Sequence, residues 1–422
     1  EGALRKWFLT GLSTPLLVIR DPIALWLIFT AYRRDVVSFP PMAIAVVLIG
    51  FFGIITALAF GHGNLFVALY GARILIVHFP LVFVIGEVFN RKDIIKLGKV
   101  MVWLALPMTV LITLQFYSPQ SAWVNHAVGG GDGEGFRGAL DFFRPPATFS
   151  FTNGTTLFYS FLAPFILYFW LDGNKINRLL LIAATGCLLA SIPLSISRGL
   201  FFSVAVSLVF MLVAIFRKPQ YAGKMFLAII GAAIVFAVLS QTPFFQTATR
   251  AFTLRFTSAN QTEGGVQGVF LDRFLGGMIS ALGNSSNVPL LGLGIGMGTN
   301  VGSMLLAGKE VFLISEGEWG RIIGELGPIF GLLIIAIRIY MAVTIAAKTY
   351  RKLVVGDLLS WMLLSFGFLV IAQGGWAQPT SLGFFVMAAG LLLASLKTSQ
   401  KKSAKPVLIS HEGFVYGRKI AG

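Results

Sequence analysis

The chain has 422 residues, of which 56% are hydrophobic and only 12% charged, with a formal net charge of +16 and a mean hydropathy of +0.83. A water-soluble fold could not cover so much apolar surface, so the composition excludes a soluble globular protein. Continuous apolar runs of about 18 or more residues recur, each long enough to cross a bilayer as a helix and unlike the alternating strands of a membrane barrel. The sequence therefore predicts an all-α polytopic integral membrane protein.

The apolar runs predict eleven spans, joined by short loops and by two long gaps at 118–149 and 243–318. No internal repeat is visible, so a two-fold transporter architecture receives no support. An odd number of spans places the two chain ends on opposite sides, which predicts a further helix upstream of Glu1 and about 11–12 spans in all. The predicted spans are 12–32, 39–60, 65–89, 98–117, 150–171, 178–194, 199–216, 225–242, 319–347, 356–374 and 380–396.

Most basic residues fall in the short loops, and their side of the membrane follows from the positive-inside rule. These loops alternate along the chain, so they are all expected on the cytoplasmic side, and both long gaps are expected on the outer side. The basic groups are Arg33–Arg34, Arg91–Lys92–Lys96, Lys175–Arg178, Arg217–Lys218–Lys224, Lys348–Arg351–Lys352 and the tail from Lys397.

This topology predicts four parts in the chain. Residues 1–242 form a transmembrane bundle of the first eight spans, which includes the outer loop 118–149. Residues 243–318 form a large outward loop domain with short helices. Residues 319–396 supply the last three spans, and 397–422 form a basic cytoplasmic tail.

The cations on the predicted outer side are mostly arginines, whereas Lys309 is the clear outward lysine and Lys6 lies near the start of the chain. A guanidinium binds two phosphate oxygens at once and does not lose its proton, so this bias predicts a phosphate or pyrophosphate ligand on the outer face. The alternative is that exposed loops simply contain arginines. The outward arginines are Arg137, Arg144, Arg198, Arg250, Arg255, Arg273 and Arg321.

Arg73 lies within the third predicted span, in FVALYGARILIVHFP. A guanidinium at the centre of a span costs at least about 2.5 kcal/mol on insertion scales, so it is expected to face a partner or a wet cavity. Arg73 is therefore a candidate for pyrophosphate binding, and a structural ion pair with another span is the alternative.

The stretch DFFRPPATFSFTNG follows the first outer loop. Arg144 precedes two prolines, which predicts extended backbone rather than helix at this position. Arg144 is a second candidate for binding pyrophosphate, and a plain junction between loop and helix is the alternative.

SISRG, at 195–199, joins two apolar runs on the predicted outer side. Ser197 is expected to cap the helix that begins near Gly199, with Arg198 in its first turn. Backbone N–H groups at that helix start and the Arg198 guanidinium could hold one anion together. The alternative is an arginine that extends to the membrane interface.

The second outer segment contains FLDRFLGGMISAL, a predicted amphipathic helix that carries Asp272 and Arg273, and the glycine-rich run GLGIGMG at 292–298. Arg273 is a further candidate for pyrophosphate binding, with an exposed ion pair as the alternative. The glycine run lacks the strand–turn–helix context of a nucleotide loop, so it predicts a turn in which two backbones pack closely.

ISEGEWGRIIGELGPIFGLL leads into the ninth predicted span. Glu318 or Glu316 could act as a general base, and Arg321 could bind an anion beside it, with one polar and one apolar side on this stretch. The alternative is a Glu318–Arg321 helix pair that takes no part in catalysis.

The single cysteine, Cys187, excludes an intramolecular disulfide, and the four histidines have no metal-ligand spacing, so no metal or cofactor is expected.

Several short motifs occur in an order that resembles the O-antigen polymerase/ligase superfamily of Wzy- and WaaL-type membrane glycosyltransferases. The motifs are EGALRKW with RDP, R-P-x-A-T-F-x-F-x-N, S-R-G, D-R-F followed by P-L-L-G-L-G, and the E-L-G run before G-L-L. The resemblance implies a GT-C-like enzyme of the bacterial plasma (inner) membrane with about twelve spans and an active site facing the periplasm. It also implies that Arg198 and Arg273 hold pyrophosphate.

The resemblance further implies a glycan donor linked to undecaprenyl pyrophosphate and no metal or nucleotide. A polymerase transfers the glycan to another lipid-linked repeat unit, whereas a ligase transfers it to a lipid A-core acceptor. Ligases carry H-N before the E-L-G helix, but this chain reads S-E-G-E-W-G-R, which favours the polymerase. Expected partners are the lipid-linked oligosaccharide, membrane lipid and a chain-length regulator, without nucleic acid. A lipid or polysaccharide transporter and a non-catalytic scaffold are the rival classes.

Overall fold

A computed structural model describes residues 1–131, 133, 135–172, 176–262, 277–283, 288–309 and 311–397. The first half of this chain is mostly helical. Its helices are α1 (Arg20–Arg33), α2 (Pro41–Ala59), α3 (Leu65–Arg73), a π-helical turn at Ile74–His78, α4 (Phe79–Val88), α5 (Arg91–Tyr117), α6 (Thr152–Leu171), α7 (Arg178–Leu194), α8 (Arg198–Arg217) and α9 (Ala222–Ser240).

The second half contains α10 (Pro243–Thr262), α11 (Gly277–Gly283), α12 (Asn300–Ala307), α13 (Glu318–Val354), α14 (Leu358–Gln373) and α15 (Pro379–Leu396). A small antiparallel hairpin, β1 (Arg137–Ala139) with β2 (Phe142–Phe143), lies in the loop between α5 and α6. Short π or 3₁₀ turns occupy Leu4–Phe8, Thr10–Leu12, Pro15–Leu17, Trp123–Asn125 and Pro219–Tyr221.

The predicted class of all-α polytopic membrane protein is confirmed. By length and composition, nine helical stretches of the described chain can cross a membrane. Two shorter apolar helices, α7 with 17 residues and α14 with 16, fall at the positions of two further predicted spans. Each of the eleven predicted apolar runs therefore corresponds to a helix.

The loops between the helices gather at two opposite ends of the bundle. At one end the basic short loops meet, where Arg91 lies 2.6 Å from Asp357 and the Lys352 ammonium donates to the Lys397 carbonyl at 3.0 Å. Lys224 at the same end donates to the carbonyl of Leu171. We refer to this as the short-loop end, and its assembly agrees with the predicted alternation of basic loops.

The opposite end, which we call the long-loop end, collects residues 1–19, 60–64, 118–151, 195–197, 374–378 and the described part of 241–317. Lys6 donates to the carbonyl of Ala147 at 3.2 Å, and Arg20 donates to the carbonyl of Pro379 at 3.0 Å. The first bond joins the chain start to the first long loop, and the second joins the start of α1 to the start of α15.

The core of the bundle is formed by α6, α14 and α15, whose side chains are apolar around most of the helix. α14 packs against α6, α8, α13 and α15, and 12 of its 16 residues are buried. Phe161, Phe366 and Phe384 pack their rings together where α6, α14 and α15 meet. Outer helices instead expose large apolar side chains such as Phe216, as expected for a surface that faces lipid.

α10 lies within the second long gap, where the sequence analysis predicted only short helices. Its residues Phe245, Ala248 and Ala251 are buried at a spacing of three, and the helix packs against α7 and β1. The polar composition of 243–262 resembles a loop, so only the helical spacing of these small apolar residues could have revealed a 20-residue helix.

The predicted amphipathic helix FLDRFLGGMISAL is described only in its second half, as α11. Asp272 and Arg273 lie outside the described residues, and so does the basic tail beyond Lys397. The contribution of Arg273 to a site therefore stays a prediction.

α13 is broken at Gly327, where the sequence predicted one continuous ninth span. Gly327 has a φ of +77° and precedes Pro328, so residues 318–326 form a short helix that is separated from the rest of α13. The predicted polar and apolar sides of the short helix are wrong, because Trp319, Arg321 and Glu325 are all buried.

The glycine-rich run 292–298 packs between α3 and the short first part of α13. The Leu293 amide donates to the Gly324 carbonyl at 2.8 Å, and the Gly294 amide donates to the Glu325 carbonyl at 3.1 Å. A Cβ at Gly296 would overlap the carbonyl oxygen of Val67. The prediction of a turn with closely packed backbones is confirmed.

We expect Gly296→Ala to lower thermal stability more than Gly63→Ala. Both glycines have positive φ (+92° and +68°), so each substitution introduces the left-handed strain of about 1–2 kcal/mol. Only Gly296 also lies against backbone, whereas a Cβ at Gly63 would meet nothing within 4 Å. The measurement is the midpoint of thermal unfolding in detergent, and equal losses in both variants would contradict the close approach.

Candidate functional site

The SISRG junction connects α7 to α8 at the long-loop end. Ser197 accepts a hydrogen bond from the Leu200 amide at 3.2 Å, so it caps α8 as the sequence predicts. Its hydroxyl also lies 2.9 Å from the hydroxyl of Thr156 on α6. Arg198 is the first residue of α8 and is half-buried. Its side chain therefore starts at the end of the helix where the first backbone N–H groups have no acceptor within the helix.

Arg144 reaches the same junction from the loop before α6. Its Nε donates to the carbonyl of Ser195 at 3.4 Å, and its guanidinium lies 5.6 Å from the centroid of the Phe136 ring. The β-hairpin packs directly on the junction, because a Cβ at Gly138 would collide with the side chain of Ile196. Two arginines predicted from separate motifs are thus brought to one place.

Arg255 comes to this hairpin from α10. Its Nη1 donates to the Gly138 carbonyl at 3.1 Å. Arg255 is one of the outward arginines but is not among the predicted site residues, because the helical spacing of α10 is the only signal in the sequence for its direction. We call the assembly of Arg144, residues 195–198 and Arg255 the arginine junction.

The loop that carries Arg144 is held by the N-terminal segment. Ala147 has a φ of +52°, and its carbonyl accepts from both Lys6 and Gln115 at 3.2 Å while its amide donates to Gln115. Burial lowers the pKa of Lys6 to about 8. These bonds fix a strained backbone position three residues after Arg144, which the sequence alone did not indicate.

Arg73 makes the ion pair that was the alternative to a pyrophosphate role. Its Nη1 lies 2.6 Å from Oδ2 of Asp21 on α1, and its guanidinium lies 3.8 Å from the centroid of the Tyr70 ring. His78, at the end of the π-helical turn, places its Nε2 3.3 Å from the other Asp21 oxygen. The charge of Arg73 is balanced inside the bundle, so its geometry does not support phosphate binding.

Arg321 is likewise balanced by carboxylates, which agrees with the alternative of a helix pair. It donates to both oxygens of Glu318, at 2.7 and 3.0 Å, and to Glu325 at 2.5 Å. The second oxygen of Glu325 accepts from the Gly298 amide at 2.8 Å, so the glycine-rich run joins the same network. Arg321 is 5% exposed, and an outer anion would have to displace these carboxylates to reach it.

Arg338 completes this network, although it is not among the predicted site residues. It is fully buried in α13, its Nη1 lies 3.3 Å from Glu318, and it donates to the carbonyls of Ile371 and Gly374. Its guanidinium lies 4.0 Å from the centroid of the Trp376 ring. The signal was an arginine inside an apolar run, the same signal that marked Arg73. We call Glu318, Arg321, Glu325 and Arg338 the buried charge network.

The two candidate bases differ in access. Both oxygens of the Glu318 carboxylate are bonded to guanidinium groups, so neither is directed at an incoming hydroxyl. Glu316 is exposed, two residues before α13 begins.

No protein-family model matches the chain, and no curated protein matches it either.

We expect Arg338→Met to lower stability by about 3–5 kcal/mol, because removal of one partner from a buried ionic network leaves an uncompensated charge. Arg351→Met is the matched control, since Arg351 is exposed near the end of the same helix, and its loss is expected within about 0.5 kcal/mol. The measurement is unfolding in detergent at equal protein concentration. Equal stability of the two variants would contradict the network.

Proposed function

We propose that the protein is a polysaccharide polymerase that transfers an undecaprenyl-pyrophosphate-linked glycan onto a sugar hydroxyl of another lipid-linked repeat unit. The observation that carries this proposal is the arginine junction, where the described structure gathers Arg144, Arg198 and Arg255 around a capped helix start. Guanidinium groups and helix N–H groups are the donors that bind phosphate oxygens best.

The long-loop end is proposed to face the periplasm of a bacterial plasma membrane. The convergence of Arg91, Lys224, Lys352 and Lys397 at the opposite end supports this orientation, because basic loops remain in the cytoplasm. The lipid pyrophosphate donor and its acceptor would then meet in the outer leaflet, beside Arg198.

The proposed reaction is a displacement at the anomeric carbon of the lipid-linked glycan. The acceptor oxygen forms the new glycosidic bond while the bond to the pyrophosphate oxygen breaks, and undecaprenyl pyrophosphate leaves. Negative charge grows on the leaving pyrophosphate, so fixed guanidiniums at Arg144, Arg198 and Arg255 stabilise the transition state more than the bound substrate. Arg273 is proposed to join them from the second outer segment.

The acceptor proton is proposed to pass to Glu316. Its exposure at the long-loop end supports this choice, whereas the two guanidiniums around Glu318 support a structural role for that residue. Arg321 belongs to the same structural network and is not assigned a direct part in the chemistry.

A ligase that acts on a lipid A-core acceptor is the first alternative within this chemistry. The sequence contains no histidine between His126 and His411, so the histidine of the ligase H-N motif is absent. This departure favours the polymerase.

A transporter of a lipid-linked glycan is a second candidate, favoured by the buried Arg73 and His78 and their partly buried partner Asp21. Ionisable groups inside spans often serve proton or ion pathways. Transport would move the lipid-linked glycan across a vesicle membrane without forming a glycosidic bond, so lengthening of the glycan by purified protein distinguishes the two classes.

We expect Arg198→Ala and Arg144→Ala each to reduce chain extension by about 100-fold, the usual effect of removing one donor from a site of developing negative charge. Arg198→Lys is expected to recover only part of the activity, because lysine lacks the planar fork of donors. The measurement is the chain length of surface polysaccharide in cells that carry each variant as their only copy, at matched protein levels.

Lys309→Ala is the control, since Lys309 is an exposed cation at the same end of the bundle. It is expected to leave chain length unchanged. Full-length polymer in cells with Arg198→Ala at normal protein levels would refute the assignment of the arginine junction.

We expect Glu316→Gln to lose catalytic activity and Glu318→Gln to lose stability. Loss of the base in Glu316→Gln should abolish extension while the protein folds and inserts normally. Glu318→Gln should weaken the buried charge network and reduce the amount of folded protein, because a buried ionic partner is lost. The measurements are glycan lengthening per folded molecule and thermal stability, and full activity of Glu316→Gln would exclude it as the base.

A further inference from the structure

A groove runs along the side of the bundle between α5, α7 and α9, closed at one end by the first turn of α10. Its cavity volume is about 420 Å³, within the range of small-molecule sites. Thr109 and Cys187 line its inner part, and Leu114, Leu194 and Phe244 line the end near the long loops. We call this the lateral groove.

The lateral groove has almost no polar surface to offer a ligand. The hydroxyl of Thr109 is already bonded to the Ala105 carbonyl and the Tyr159 hydroxyl, both at 2.8 Å. The side chains of Val110 and Leu114 are 60% and 51% exposed, so the groove opens toward the surrounding lipid. Its occupant must be an apolar chain that enters from the membrane.

The lateral groove ends at the arginine junction. Leu194 lines the groove and is the last residue of α7, and the next residue, Ser195, accepts the hydrogen bond from Arg144. Phe244 lines it from α10, the helix that carries Arg255. From Ala183 to Leu194 the groove follows α7 for about 16 Å, at 1.5 Å per residue.

One wall of the lateral groove is made of small residues. Ala183, Gly186, Cys187 and Ala190 all line it from α7. Their spacing places them on one face of the helix, where short side chains leave room beside α7, except at Gly186, where a Cβ would meet Val235 of α9 at 3.3 Å. A polyisoprenoid would bring one chain to this cavity of about 420 Å³, whereas a membrane phospholipid would bring two.

We propose that the lateral groove binds the first part of a polyisoprenoid chain whose pyrophosphate lies at the arginine junction. This inference rests on the proposed function and adds to it the site that selects the carrier lipid. The chain would align the pyrophosphate beside Arg144 and Arg198, and the rest of the isoprenoid would extend into the membrane.

The first test uses Cys187, the only cysteine of the chain and a residue of the lateral groove. The purified protein in lipid nanodiscs is alkylated with N-ethylmaleimide alone and with undecaprenyl pyrophosphate, sodium pyrophosphate or added phosphatidylglycerol. We expect alkylation to slow about tenfold with undecaprenyl pyrophosphate at ten times its Kd, since one site in eleven is then empty. Sodium pyrophosphate and phosphatidylglycerol should not protect the thiol.

The second test narrows the groove with Ala183→Trp. Ala183 is exposed to lipid and lines the groove, while Ile182 is exposed beside it on the same helix but lies outside the groove, so Ile182→Trp is the matched control. Ala183→Trp should weaken undecaprenyl pyrophosphate binding at least about tenfold, through lost burial of several CH₂ groups. Binding of sodium pyrophosphate should not change in either variant.

The outcomes distinguish a failure of the groove assignment from a failure of the proposed function. Equal protection of Cys187 by phosphatidylglycerol, or unchanged affinity of Ala183→Trp for undecaprenyl pyrophosphate, would overturn the groove assignment. If binding still depended on Arg198 in that case, the proposed function would stand. If undecaprenyl pyrophosphate did not bind at all, both proposals would fail.

Discussion

Two carboxylates and two guanidiniums, each with a side chain at most 6% exposed, form the buried charge network, and their bonds hold three segments of the long-loop end together. Glu318 and Glu325 balance Arg321 and Arg338, so the network has no net charge, and each group is bonded to at least one other. Backbone from the glycine-rich run and from the loop before α15 completes it, through Gly298 and Gly374. Charges buried in this manner are tolerated because every member is paired.

The arginines described above lie in two places. Arg73, Arg321 and Arg338 bond to carboxylates and carbonyls within the bundle, where they connect helices. Arg144 and Arg255 bond to carbonyls of a loop and a hairpin at the long-loop end, beside Arg198. A count of outward arginines cannot make this distinction, because it depends on where the packed helices and loops bring each side chain.

Hydropathy predicted the helices well because burial in lipid imposes a long apolar run on each span, whatever its neighbours are. The Ser197 cap was also predictable, since a cap depends on residues only three apart. The ion pair of Arg73 with Asp21 and the pairing of Arg338 with Glu318 join residues 52 and 20 positions apart, so they depend on how helices pack. α10 was missed because its contacts with α7 and β1, rather than its composition, hold it as a helix.

The docking of the N-terminal segment has a consequence for biosynthesis. Lys6 bonds to Ala147 across 141 positions of the chain, and the Trp7 indole donates to the carbonyl of Trp123. At translation rates of about 5–20 residues per second, the segment must wait on the order of ten seconds before its partners emerge from the ribosome. During that interval Lys6 lacks its bond to Ala147 and Arg5 lacks its bond to Ser150, so the nascent chain depends on water or lipid headgroups to complete the solvation of these cations until the first long loop is made.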